Sequence, residues 1–169
     1  MITCPFCGHE NIEGTDTCEE CMHSLVMVGK TPNLYVGKSL LKQRISALNP
    51  PPAVCVSSKT TLDAVLKLLV QKKIGCVLIV DEGQLQGIFS ERDALMRVNT
   101  AVDSLRHQPI SQFMTSNPET LAIDDKIAFA VHRMDLGGYR HIPIQHPDSS
   151  YGIISVRDIL GFLANQPQD

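Results

Sequence analysis

The chain has no tryptophan, and aromatic residues fill only 5% of its 169 positions. Its core must therefore be packed from aliphatic side chains. Long hydrophobic runs are missing as well: no apolar stretch approaches the ~20 residues of a membrane-spanning helix, so no membrane association is expected. A basic stripe that could neutralise a phosphate backbone is also absent. Net charge is −3, of which −4 falls within residues 1–30 (Glu10, Glu13, Asp16, Glu19 and Glu20 against Lys30) and +1 on the rest. Nucleic acid is thus a disfavoured partner. Met1-Ile2-Thr3-Cys4 has neither the basic nor the apolar region of a secretory leader, and a cytoplasmic setting is expected, where cysteines hold metals more often than they form disulfides. No Ser-His-Asp or Cys-His constellation, P-loop or open metal site stands out, so an enzyme is not expected.

What the chain does contain is a repeat. Gly87-Ile88-Phe89-Ser90-Glu91-Arg92-Asp93 returns 65 positions later as Gly152-Ile153-Ile154-Ser155-Val156-Arg157-Asp158. The same offset relates Ile45-Ser46 to Ile110-Ser111, Ser39-Leu40 to Ser104-Leu105, and Leu62 to Ile127. Self-similarity at a fixed period means one supersecondary unit used twice. The tiles span 36–100 and 101–165, after residues 1–24 and a linker at 25–35, and leave a tail at 166–169.

Periodicity sets the elements within a tile. Leu41, Ile45 and Leu48 predict an opening helix, ended by Asn49-Pro50-Pro51-Pro52; in the second tile Pro109 allows at most a short helix over 110–114. A short strand follows at 54–56 and again near 120–122. Leu62, Val65, Leu66 and Leu69, and in the copy Ile127, Ala130, Val131 and Met134, mark an amphipathic helix. The unbroken apolar run Cys76–Val80 predicts a strand buried on both faces, copied at 141–144. A turn at Asp81-Glu82-Gly83 leads to a third strand at 85–89, copied at 151–154, and Ser90 and Ser155 open a last helix. Cys55 and Cys76 fall in strands and are expected to be buried. The order β-α-β-β-α, twice, predicts an α/β (α+β) protein in which two repeats pack with pseudo-two-fold symmetry.

Cysteine spacing defines a separate element. Cys4, Cys7, Cys18 and Cys21 form two C-x2-C pairs ten residues apart. Four thiolates in two tight turns suit tetrahedral Zn2+. A segment of this size cannot bury enough apolar surface to fold unaided, so metal would supply most of its stability. Disulfides and an iron site of rubredoxin type are the alternatives, and His9 and His23 flank the knuckles. The stretch resembles a short zinc ribbon. Its acidity argues against DNA binding and favours a structural or protein-contacting role.

The repeats themselves, with Gly-h-h-Ser-x-Arg-Asp (h, apolar) twice and Arg140-His141-Ile142-Pro143-Ile144 before the second copy, resemble CBS domains, and the tandem pair resembles a Bateman module. Leu78 departs from the family's proline. The resemblance implies a regulatory module with adenosine-containing ligands (AMP, ADP, ATP, S-adenosylmethionine) in clefts between the repeats, and a homodimer. It implies one ligand set of Ser155, Asp158, Ile153, Arg140, His141 and Tyr139 with Thr60, Val65 and Ile74, and a second built on Ser90, Asp93 and Ile88.

Residue chemistry adds to this. Ser90 with Asp93, and Ser155 with Asp158, are capping boxes first of all. A carboxylate can also accept from a ribose diol, and Gly87 and Gly152 would let a strand approach a flat base. Arg140 and His141 can neutralise phosphate. The Ser90/Asp93 cleft instead has Gly75 and Cys76 at those positions and Asp125 in place of Thr60, so the Ser155/Asp158 cleft is expected to bind nucleotide more tightly. A nucleotide sensor signalling through the zinc ribbon to an unknown protein partner is the leading expectation. A ligand-free scaffold or a DNA-binding regulator is the alternative.

Overall fold

A computed structural model of the chain describes residues 1–4, 7–12, 15–22, 25 and 43–165. The linker expected over 25–35 falls outside this set except for Leu25, as do the tail at 166–169, Leu41, and His23. Among the described residues no helix is long and apolar enough to cross a membrane. The architecture is mixed α+β, and the backbone divides into two compact units.

The smaller unit comprises residues 1–49, 124–139 and 157–169. Strands β1 (Ile2–Thr3) and β2 (Glu10–Asn11) pair antiparallel, with Ile2 opposite Asn11. The expected opening helix is a single 3-10 turn, Ile45–Leu48, at least over the described residues. Asn49 stops it in the left-handed region (φ 50°), with Pro50 behind it. Ile45 is fully buried, and its amide donates to the carbonyl of Asp125 at 2.8 Å. A helix at Ile127–Gly137 buries Ile127, Ala128, Ala130 and Met134 and ends at Gly138 (φ 64°). Residues 157–164 of the helix Val156–Ala164 complete the unit.

The larger unit comprises residues 50–123 and 140–156. Strands β3 (Cys55–Val56), β4 (Cys76–Asp81), β5 (Gln84–Ser90) and β6 (Thr115–Ser116) form one sheet in that order. Strands β7 (Leu121–Ala122), β8 (His141–Gln145) and β9 (Tyr151–Ser155) form a second. In each, the first pair is parallel and the second antiparallel. The β4–β5 hairpin closes through Glu82 and Gly83, both with positive φ (50° and 76°), the turn chemistry a two-residue hairpin requires. Thr61 caps the helix Leu62–Lys72, whose Leu62, Val65 and Leu69 join Val77, Ile79, Phe89, Val98, Ile110 and Phe113 in one buried cluster. Cys76 to Ile79 are all buried, as the unbroken apolar run predicts. Cys55 is exposed, against expectation: β3 alternates, Val54 and Val56 pack on the cluster, and Cys55 faces away.

The two tiles exchange chain at their edges. Strand β6, from the second tile, pairs with β5 of the first, Gly87 opposite Ser116. Pro52, from the first tile, bridges Gly152 on β9 of the second. The entry segments repeat the pattern: within the smaller unit Arg44 bridges Lys126, and within the larger Thr61 bridges Pro109, positions related by the 65-residue offset. Neither tile therefore completes its own backbone hydrogen bonding.

Candidate functional site

The cysteine centre is built by two matching knuckles. The Gly8 amide donates to the Cys4 carbonyl at 2.9 Å, and the Met22 amide donates to the Cys18 carbonyl at 2.9 Å. Each closing residue is left-handed, Gly8 at φ 81° and Met22 at φ 59°. The Cys4 and Cys21 sulfurs lie 3.6 Å apart, those of Cys7 and Cys18 3.5 Å, and all four fall within 4.8 Å of one another. Tetrahedral bonds of ~2.3 Å to a central zinc place sulfurs about 3.8 Å apart, so the four thiols fit such an ion. Burial works against ionising Cys18. Hydrogen bonds from the Cys21 and Glu20 amides and from the Asn11 and Cys7 side chains outweigh it and bring the thiol down to about 6. Metal ligation needs the thiolate, and the environment favours it at Cys18; at Cys7 a backbone hydrogen bond at His9 also favours it, but burial and the adjacent Cys18 and Cys4 thiols push that thiol up on balance.

Asn11 is the residue sequence reasoning missed. It is the only buried polar side chain among the described residues, at 2% exposure. Its side-chain nitrogen donates to the His9 carbonyl (3.0 Å) and to the Cys18 sulfur (3.6 Å), while its oxygen accepts from the Glu19 amide (3.0 Å). It thereby ties the second knuckle to the β1–β2 hairpin. The available signal was an amide side chain between the cysteine pairs, too common to single out.

At the first motif the capping box is complete. The Asp93 amide donates to Ser90 Oγ at 3.3 Å, and Asp93 Oδ2 accepts from the Ser90 amide (2.8 Å) and hydroxyl (2.7 Å). Asp93 Oδ1 lies 3.5 Å from Arg97, whose guanidinium also donates to the Phe113 carbonyl (2.7 Å) and Thr115 Oγ1 (2.9 Å). Ile88 is half-buried between β4 and β6. The glycines of the motif make room for the chain itself rather than for a flat base. A Cβ on Gly87 would collide with the Met114 side chain, and one on Gly152 would stand 3.0–3.3 Å from His146, Pro50 and Pro51. The edge exchange described above brings these neighbours in.

Of the second set, Thr60, Val65, Ile74, Arg140, His141, Ile153 and Ser155 lie in the larger unit, whereas Tyr139 and Asp158 lie in the smaller. Val65 is fully buried in the aliphatic cluster and Ile74 packs at its edge. Thr60 is half-buried, and its carbonyl accepts from the Ile110 amide at 2.7 Å. Arg140 is exposed, and its carbonyl accepts from the Val156 amide (3.0 Å) just as the Gly75 carbonyl accepts from Glu91 (2.9 Å). His141 is half-buried, with its ring seated over Gly75: a Cβ there would stand 2.6 Å from Nε2, with Glu91 Oε2 3.8 Å away. Tyr139 is exposed and folds onto Gly137. Asp158 is exposed near the start of the last helix. A shallow polar cavity of about 270 Å³ lies elsewhere, at the far end of β5 and β9, lined by Gln84, Leu85, Asn117, Pro118, Thr120, Gln145 and Tyr151. None of the expected ligand residues borders it.

The family model described as "CBS domain" matches residues 45–99 and again 110–165. The chain belongs to the CBS-domain family. Its two CBS repeats are similar to a CBS domain-containing protein of Arabidopsis thaliana (CBSCBSPB1), at 31% identity over 105 residues, which is 62% of this chain and 19% of that one. The chain thus spans about a fifth of that relative's length. Among solved structures, the CBS-domain containing protein ATU1752 from Agrobacterium tumefaciens superposes with a TM-score of 0.66 at 26% identity, over 72% of this chain and 99% of that one. The CBS domain protein PAE2072 from Pyrobaculum aerophilum, complexed with AMP, gives a TM-score of 0.61 at 24% identity, over 73% of this chain and 100% of that one.

Proposed function

We propose that this CBS pair is a regulatory module that binds an adenosine-containing ligand (AMP, ADP, ATP or S-adenosylmethionine) at the second motif, around Ser155 and Asp158. The observation that carries this reading is the seating of the His141 ring over Gly75. It sets the start of β8, with Arg140, beside the start of β4, with Ile74. In this reading exposed Arg140 and half-buried His141 serve the phosphates, Ile74 and Ile153 the base, and Asp158 the ribose diol, with Thr60 and Tyr139 as further contacts, whereas Val65, fully buried, only backs Ile74 from within the aliphatic cluster. AMP bound to the related Pyrobaculum protein supports the ligand class. The first motif is read as structural, because Arg97 pairs with Asp93 and Met114 fills the space beside Gly87.

In the same reading Cys4, Cys7, Cys18 and Cys21 hold a structural Zn2+, and the outward face with exposed Glu10, Glu19 and Glu20 is left for a protein partner. The module is a regulator rather than an enzyme, works as a homodimer, and divides at 1–24, 25–35, 36–100, 101–165 and 166–169. A thermal-shift panel of adenosine, AMP, ADP, ATP and S-adenosylmethionine tests the central claim. A true ligand raises the midpoint in a concentration-dependent way; a panel without response defeats it and leaves a ligand-free scaffold.

A further inference from the structure

The two amphipathic helices begin differently. The Leu62–Lys72 helix is capped by Thr61, whose hydroxyl accepts from the Ala64 amide at 3.4 Å, and carries Asp63 in its first turn. Asp63 is paired with Lys67 and Arg106. At the 65-residue offset, Thr61 becomes Lys126, Asp63 becomes Ala128 and Ala64 becomes Phe129. The Ile127–Gly137 helix accordingly has no side-chain cap and no acidic residue in its first turn. It has lost the features that normally satisfy and favour a helix start and has an apolar pair in their place.

That pair is covered. Ala128 is buried in one cluster with Cys4, Cys18 and Leu25, and Phe129, Ile2 and Cys21 pack against it. Cys4, Cys18 and Leu25 are each no more than 2% exposed. The face that covers the helix start therefore contains two buried thiols of the cysteine centre, Cys4 and Cys18, with Cys21 packed against them, and the knuckles that present them meet at that centre.

We propose that the cysteine centre is a metal-dependent clamp on the first turn of the Ile127–Gly137 helix. With zinc bound, the face of Cys4, Cys18 and Leu25 is formed and covers Ala128 and Phe129. Without it, the knuckles open and that turn loses its cover. Linkage makes the effect reciprocal: whatever undocks the ribbon from the helix weakens zinc by the same factor. The clamp does not depend on nucleotide binding.

The experiment uses the full chain, stripped with a chelator and reloaded with zinc chloride. Hydrogen exchange by mass spectrometry should show the amides of 127–137 exchanging at least about fivefold faster without zinc, while those of 62–72 keep their rates. Ala128→Asp restores the acid that Asp63 supplies, so it favours the isolated helix while placing a charge in the clamp. It should lower zinc affinity, measured by competition with a chromophoric chelator, about 5- to 100-fold, and the exchange of 127–137 should no longer respond to zinc. Leu25→Ala should lower affinity without altering the helix. Failure to take up zinc, equal exchange of 127–137 with and without it, wild-type affinity in both variants, or loss of protection in both helices together would each overturn the proposal.

Discussion

The side-chain nitrogen of Asn11 lies 3.6 Å from the sulfur of Cys18, so that a buried amide supports one thiol of the four-cysteine cluster. Asn11 also accepts from the Glu19 amide, in the middle of the second cysteine pair. Groups of this kind orient ligands and tune their basicity.

Replacing Asn11 with alanine should therefore weaken zinc by about 10- to 100-fold, read by chelator competition, and destabilise the ribbon by about 1–3 kcal/mol because the Glu19 amide loses its acceptor. Zinc affinity equal to that of the wild type would remove Asn11 from the account of the centre.

Ser90→Ala should cost about 1 kcal/mol of unfolding free energy in urea, the usual loss for a helix cap, and should leave ligand affinity unchanged. A matching loss of AMP binding would return the first motif to the list of ligand sites.

Arg140→Ala should weaken AMP and ATP more than adenosine, whereas Asp158→Ala should weaken all three. Calorimetry showing equal losses for Arg140→Ala would reject its phosphate role.

Hydrogen bonds from Ser58, then from Ser57, hold the Asp81 carboxyl below its ordinary range; the Ser58 amide and the Ser57 hydroxyl lie 3.1 and 3.0 Å from it. A carboxyl lowered in the folded state adds stability in full above its unfolded value, near 4, and loses it as pH falls through the lower folded value. Below pH ~4 the wild type should lose stability faster than Asp81→Asn; parallel acid limbs in urea titrations would contradict this.

The two cysteines outside the centre should differ in reactivity. Burial, aided by Asp93 and Glu91, pushes the Cys76 thiol up to about 12; partial burial also raises the Cys55 thiol, but Cys55 is exposed to the reagent. With zinc bound, iodoacetamide at pH 8 should modify Cys55 well before Cys76, because the thiolate is the nucleophile. Mass mapping that finds Cys76 first would show the strand to be open.

Much of this protein was legible in order along the chain. The repeat, the buried β4 strand, the helix stripe Leu62–Val65–Leu69 and the four cysteines are local patterns, and local physics reads them: apolar period, thiol spacing, turn residues. What misled was local too. Cys55 sits in a two-residue strand where face matters more than composition. Ile45 and Leu48 have helical spacing, but Arg44 before them is extended (φ −88°, ψ 157°), so only a turn forms at the described end.

The amino-acid order alone determined that one β-α-β-β-α unit occurs twice and that four thiols stand ready to share an ion, because both are matters of spacing. Only the tertiary structure decided that the tiles trade edge strands, that His141 covers Gly75, and that Ala128 and Phe129 rest under the cysteine ribbon. Those relationships join residues from 27 to more than 100 positions apart, and they follow from which surfaces meet on burial, information that no single stretch of chain carries.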